Sequence, residues 1–234
     1  MEPMPNRYRR QLESTTWFRG LPVELQDHLM KNASLVRLNK GQALFRCGDA
    51  SRCLYAVLDG ALAMGMVGVD GQQALLAVLG PTAWFGEVSL FDGLPRAYDA
   101  IAVSRALVLQ VPEGALRSLL DATPRYWCDF AQLMAHRLRV VYKTTQALTV
   151  LSAAQRVAGR LLMIAGGYDG LVETKSTIRL SQSSLASMVS LSRQTTNQVL
   201  KELERQEIVS LRLGEITILD IARLRAAAES SPSA

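Results

Sequence analysis

Histidine and cysteine are scarce in this 234-residue chain, with two of one and three of the other. Cys47, Cys53 and Cys128 are odd in number and form no C-x-x-C pair, which suggests neither a disulfide framework nor a zinc site. Cys47 and Cys53 read instead as small buried residues. No Ser/His/Asp set, metal cluster or P-loop can be assembled, so no catalytic residues and no enzyme are expected. No apolar run reaches the ~18 residues of a membrane span. The opening residues, Met1 to Arg7, lack the apolar core of a secretion signal, and a cytoplasmic chain with no membrane partner is expected. Acid is missing from one stretch in particular. Between Lys175 and Lys201 there is no Asp or Glu against four Lys or Arg. A carboxylate there would repel phosphate, so its absence fits a polyanionic partner. The net charge of +5 and pI near 9.3 point the same way.

Residues 180–205 are the most informative stretch that is present. A short helix opened by a capping Ser181 carries Leu185, Met188 and Val189 on one face. Ser190-Leu191-Ser192 makes a turn, and Ser192 is a natural N-cap for a second helix. That second helix buries Val199, Leu200 and Leu203 and turns Arg193, Gln194, Asn197, Gln198 and Lys201 outward, with Ser181, Ser192 and Thr195 at the helix starts. This is a helix-turn-helix pattern whose second helix suits a major groove. Arg can hold guanine bidentately, Gln and Asn can hold adenine, and Lys201 can meet phosphate. A helical hairpin with a solvated polar face is the other reading of the same residues.

The surrounding organisation is α+β. Residues 1–16 are polar and Arg-rich and read as a flexible tail, followed by a short helix through Leu25 and Leu29. Residues 17–112 carry short apolar runs between recurrent glycines, such as Leu54–Leu58, Ala74–Leu79 and Ala106–Val111, which predicts an antiparallel β-roll or barrel. Val69-Asp70-Gly71-Gln72 is a hairpin-turn signal. Residues 113–149 read as one long helix. On it Trp127, Met134, Val141 and Leu148 fall seven apart, with Phe130 three after the first, a seam suited to a homodimeric coiled coil. Arg137 and Thr144 occupy companion positions. Thr149–Ser152 is the expected hinge. A C-terminal winged helix-turn-helix spans 150–228, its wing turning at Gly214 and its last helix capped by Asp220, and 229–234 is a tail.

In this order the chain resembles the family of the cyclic AMP receptor protein and the fumarate-nitrate reduction regulator, over residues ~17–225. Leu44–Asp49 with Leu54, Tyr55 and Gly60 resembles that family's first barrel strands. Phe85-Gly86-Glu87-Val88-Ser89-Leu90-Phe91 with Pro95-Arg96 resembles its phosphate-binding cassette, and 180–205 resembles its DNA reader. The resemblance implies a homodimeric transcription regulator on palindromic double-stranded DNA, with RNA polymerase as a further partner and a small effector in the β-roll. It implies that Gly86 offers backbone N–H groups to a phosphate, that Arg96 adds charge and that Glu87 accepts from a ribose hydroxyl. Alternatively, Glu87 and Arg96 pair with each other and the loop holds no ligand, leaving a constitutive or architectural DNA binder.

Departures narrow the effector. Ala97 stands where cyclic-AMP-binding relatives usually carry Ser or Thr, and Tyr98 where they carry a small residue. Val141 and Tyr142 stand where they carry a Thr-Ser pair that reaches adenine. The effector is left open at Gly86, Glu87, Arg96, Ala97, Tyr98, Val141 and Tyr142: these residues could suit another nucleotide, a cyclic mononucleotide or a guanine-containing cyclic dinucleotide, or Arg96, Tyr98, Asp99 and Tyr142 could equally just fill the pocket. The iron–sulfur members need an N-terminal cysteine cluster and the haem members axial ligands. With Cys47 the first cysteine and only His28 and His136 available, neither cofactor is expected. In the reader, Gln194 stands where Glu is usual and Gln198 where Arg is usual.

Overall fold

Tyr8 and Leu12 stand four apart, a spacing that places both on one helix face. Helix α1 (Asn6–Leu12) forms there and buries them, Leu12 completely. Arg9 on the same helix pairs with Glu13 and with Asp27, and also donates to Gln26 Oε1. The expected flexible tail over 1–16 is therefore corrected over residues 6–16. Its polar composition hides two apolar anchors and an arginine whose partners lie in a later helix. The computed structural model describes residues 6–50, 52–67, 73–166 and 176–229. They belong to two units, Met1–Met66 with Leu76–Leu138, and Val67–Leu75 with Arg139–Ala234.

After α1 the chain forms α2 (Thr16–Gly20) and α3 (Val23–Lys31), then the strands β1 (Ser34–Leu38), β2 (Ala43–Phe45), β3 (Leu54–Asp59), β4 (Leu62–Val67), β5 (Gln73–Leu79) and β6 (Trp84–Phe85). The short helix α4 (Val88–Asp92) then leads to β7 (Asp99–Ala102) and β8 (Ala106–Val111). They form two four-stranded sheets, ordered β1-β8-β3-β6 and β2-β7-β4-β5. Pairs such as β3 with β8 and β4 with β7 run antiparallel. Every residue from Leu54 to Leu58 is buried, so β3 is covered on both faces and shows no alternation in sequence. Between β3 and β4 the chain turns at Gly60, where φ is +75° and a Cβ would lie 2.1 Å from the Arg105 carbonyl oxygen. The turn expected at Val69–Gln72 lies outside the described residues.

The core of the first unit is aromatic. Phe18 stacks on Trp84 at 5.4 Å, and Trp17 meets the edges of Trp84 and Phe130 at 5.2 and 5.7 Å. Trp17 Nε1 also donates to the Asp129 carbonyl at 2.8 Å, fixing the start of the long helix to α2. The helix expected over 113–149 is in fact broken. Helix α5 (Glu113–Ala122) ends at Thr123, one 3₁₀ turn covers Pro124–Tyr126, and α6 runs from Trp127 to Val150. Proline has no N–H and pushes the preceding residue out of the helical region, and Thr123 accordingly has φ −136° and ψ 76°.

In the second unit α7 (Ala153–Ala165) starts with a capping box, Ser152 Oγ accepting from Gln155 N while Gln155 Oε1 accepts from Ser152 N. Then come β9 (Thr177–Arg179), α8 (Gln182–Met188), α9 (Arg193–Arg205), β10 (Val209–Arg212), β11 (Glu215–Ile218) and α10 (Ile221–Glu229). Strands β10, β11 and β9 form one antiparallel sheet, with the wing turning at Gly214 as expected. Asp220 Oδ1 accepts from Arg223 N at the start of α10. Residues 230–234 lie outside the description. No helix among the described residues is long and apolar enough to cross a membrane.

Because Leu12 is fully enclosed, Leu12→Ala should lower stability by about 2–5 kcal/mol. Urea unfolding followed by tryptophan fluorescence measures it, and a flexible tail would give no change.

Candidate functional site: a buried charge cassette and a capped reader helix

The cassette is built at the β6–α4 corner. Gly86 has φ +98°, and a Cβ there would come within 2.6 Å of the Cys53 carbonyl and 3.1 Å of Arg96 Nη1, so only glycine fits. Arg96 is buried, lying over the rings of Phe45 and Tyr55 at 4.5 and 5.3 Å. Its Nη1 donates to the Gly86 carbonyl at 3.1 Å and its Nη2 to the Cys53 carbonyl at 2.7 Å. Its Nε is buried with no hydrogen-bond partner. Backbone bonds knit the loop: Gly48 N to Arg96 O at 2.8 Å, and Arg96 N to Asp49 O at 2.9 Å. Asp99 accepts from Cys47 N and Arg46 Nη1 at 2.8 and 3.1 Å.

Glu87 is 0 % exposed and stands at the N-cap position of α4, which begins at Val88. Its Oε1 lies 3.0 Å from Arg137 Nε, an ion pair across the gap to α6, while Oε2 has no hydrogen-bond partner. Arg137 also donates through Nη2 to the Trp84 carbonyl. Tyr98 is half-buried beside Phe45. Burial raises its phenol above the ordinary value, Glu87 adds to the rise, and Arg137 and Arg96 oppose it. The Tyr98 hydroxyl is therefore a neutral donor at physiological pH. The chemistry available is a fixed cation with spare donors, an unsatisfied carboxylate oxygen and a phenol. A phosphate oxygen would suit the first and a sugar hydroxyl the second, so the residues fit a nucleotide.

The reader is equally well defined. Ser181 Oγ accepts from Ser184 N at 3.0 Å, and Ser192 Oγ accepts from Thr195 N at 3.0 Å, capping α8 and α9. Leu185, Ala186, Met188, Val189, Leu200 and Leu203 are buried between the helices. Arg193, Gln194, Gln198 and Lys201 are exposed, and Asn197 is half-exposed. Thr195 is engaged by Ser192, their hydroxyl oxygens 2.8 Å apart.

A model of the cyclic nucleotide-binding domain matches residues 35–123, and a model of the Crp-like helix-turn-helix domain matches 155–227. The chain is similar to the CRP-like cAMP-activated global transcriptional regulator of Mycobacterium tuberculosis, at 29% identity over 88% of this chain and 93% of that one. It is 28% identical to the cyclic AMP receptor protein of Thermus thermophilus, over 91% and 96% of the two chains. The chain belongs to the CRP/FNR family. A CRP/FNR-family transcriptional regulator from Thermus thermophilus has a TM-score of 0.66 at 26% identity, covering 84% of this chain and 99% of that one. FixK2 from Bradyrhizobium japonicum shares the fold, with a TM-score of 0.73 at 21% identity over 85% and 98% of the chains. This CRP/FNR-family chain is thus a transcription regulator with a cyclic-nucleotide-binding domain and a DNA-binding helix-turn-helix.

Of the site residues read from sequence, Gly86, Glu87, Arg96 and Tyr98 converge at the cassette, and Ala97 is an exposed neighbour. Val141 and Tyr142 belong to the other unit and are 56% and 65% exposed on α6. The alternative Glu87–Arg96 ion pair is replaced by Glu87–Arg137. Sequence reading missed Arg137, placing it on the helix seam, because its partner stands 50 residues earlier (137 − 87). Phe130 is corrected as a dimer-seam residue, since it is fully buried against Trp17 in its own unit. Trp127 packs on Phe91 at 5.1 Å and is half-buried. Cys47 is exposed and Cys53 only half-buried, contrary to the expected buried pair, because Cys47 sits on the turn that gives its N–H to Asp99. On α9 Thr196 is fully buried, donating to Ser192 O, and Val199 only half-buried.

Arg137→Met would leave the Glu87 carboxylate buried without its cation. Loss of about 3–5 kcal/mol is expected at neutral pH. Adding Glu87→Gln to that variant should recover part of it. Denaturant titration of the three variants and wild type reads the coupling.

Proposed function

We propose that the chain is a homodimeric, sequence-specific regulator whose DNA affinity is set by a nucleotide other than cyclic AMP held at the cassette. The observation that carries DNA reading is the exposed row Arg193, Gln194, Gln198 and Lys201 on a helix capped by Ser192. In this motif the first turn of the second helix reaches base edges, which gives Arg193 a guanine and Gln194 an adenine, while Lys201 meets phosphate. Exposed Leu138, Val141, Tyr142, Leu148 and Val150 along α6 support a second copy packing there. Met134 is half-buried and joins Val141 and Leu148 in the seam.

The effector would be held by Arg96 through phosphate and by Glu87 Oε2 through a sugar hydroxyl. Cyclic AMP is disfavoured by Ala97, which lacks the usual Ser or Thr hydroxyl, and by Val141 and Tyr142 in place of the usual Thr-Ser pair. Each unmet bond is worth about 1 kcal/mol or more. A second reading, constitutive DNA binding with a vestigial pocket, is favoured by one fact: the cassette charges already engage Arg137 and two backbone carbonyls.

In vitro site selection tests DNA reading. Wild type should return a palindrome with half-site centres about 10–11 base pairs apart. Arg193→Ala should relax one base pair and lose about 1–3 kcal/mol of discrimination, and Gln194→Glu should shift adenine toward cytosine. One consensus from all three proteins would refute the assignment.

Calorimetry tests the effector. Cyclic AMP should show no micromolar binding, and any nucleotide that does bind should be lost in Arg96→Ala, which removes a charged contact of roughly 1.5–3 kcal/mol. DNA affinity unchanged by every nucleotide tried would favour the constitutive alternative.

A further inference from the structure

The last turn of α8 ends in carbonyls that its own helix cannot satisfy. Two of them are met from outside. Arg160 Nη2 donates to Met188 O at 2.9 Å, and Arg156 Nη1 donates to Val189 O at 3.1 Å. The two arginines are four apart on α7, so they share one face and reach consecutive carbonyls as a pair. Arg160 is buried, and Arg156 is drawn in far enough that its Nε is buried with no hydrogen-bond partner. Cations at this end also face the negative pole of α8.

Immediately after these carbonyls the chain makes the turn that sets the reader. Ser190 has φ +50°, a left-handed conformation that a non-glycine residue adopts only when its surroundings impose it. Leu191 N returns to Ala186 O at 3.1 Å, and Ser192 then caps α9. Arg193 is the fourth residue beyond Val189. A change in direction at 188–190 therefore moves the first turn of α9, where base contacts depend on placement to within a fraction of an ångström.

We infer that Arg156 and Arg160 are positioning residues for DNA recognition, a two-arginine clamp from α7 that holds the α8–α9 turn and so aims Arg193 and Gln194 at base edges. The inference rests on the DNA-reading role proposed above. Neither arginine touches DNA in this scheme. Their loss should damage the discrimination between sequences and leave phosphate-driven, non-specific binding nearly intact.

The test uses the full-length protein and two duplexes of equal length, the wild-type consensus and a scrambled sequence, at one salt concentration. In Arg160→Met the ratio of specific to non-specific affinity should fall by about fivefold or more, the low end of what one bidentate base contact is worth. Non-specific affinity should stay close to wild type. Arg156→Met should act in the same direction, and Arg160→Lys, which keeps a donor, should restore part of the ratio. Arg160→Met combined with Arg193→Ala should lose less than the product of the two, because a misaimed Arg193 has less to lose. Circular dichroism checks folding, and if Arg160→Met does not fold, Arg156→Met and Arg160→Lys decide by the same ratio. A ratio unchanged in the folded variants, or a loss equal for both duplexes, overturns the clamp. A wild-type protein that fails to prefer its selected sequence overturns the DNA-reading role itself.

Discussion

Glu87 has to be answered by a cation, since a carboxylate taken wholly out of water costs several kcal/mol when left alone. The answer comes from Arg137 on α6, not from the arginine nine residues away in the same loop. This one pairing ties the cassette to the third turn of α6 and, through the Arg137 contact to the Trp84 carbonyl, to the aromatic core. The early turns of α6 are thereby committed to the first unit, with Phe130 and Leu133 buried there. Only the later apolar residues, from Leu138 onward, remain exposed for another surface. A ligand hydroxyl arriving at Glu87 would therefore act on a group already bonded to α6.

Elements whose information is local were legible in the sequence. The reader helix is set by Ser192, by leucines three apart at 200 and 203, and by a polar first turn, all within one window. The wing turn at Gly214 is equally local. Non-local features were not. Arg137 sits in an unremarkable helical pattern and acquires its role from a residue 50 positions earlier. Helix α1 is held by Asp27 and Gln26, which lie beyond an intervening helix. The break at Thr123–Pro124 was a local signal, but the helical periodicity on both sides of it outweighed the proline. Of the cassette, the sequence displayed Gly86, Glu87 and Arg96 but not which charge meets which.

The DNA-binding unit shows how few carboxylates a reader helix tolerates. Along α9 none stands before Glu202, which is hydrogen-bonded to Arg205 and Gln206. The bond to Arg205, with Gln206 next, holds the Glu202 carboxyl down to about 2. It stays ionised at every pH relevant to DNA binding, so its charge is offset by pairing and not by protonation. Because both groups are exposed, this is worth little in stability. Its consequence is electrostatic: the first two turns of α9 carry no negative side chain before Glu202.

Arginine meeting a backbone carbonyl recurs at both functional places, with opposite consequences. A carbonyl satisfies the donor's geometry but leaves the positive charge in place, unlike a carboxylate. At the cassette, Arg96 is held by the Gly86 and Cys53 carbonyls and meets no carboxylate among the described residues. Its charge remains available, and the buried Nε favours an anionic oxygen over water. At the end of α8, by contrast, the Arg156 and Arg160 charges face carbonyls that already carry the negative pole of a helix, so there they are used for placement. The same bond thus leaves one arginine charge without a carboxylate and, at the other place, anchors the turn that leads into α9.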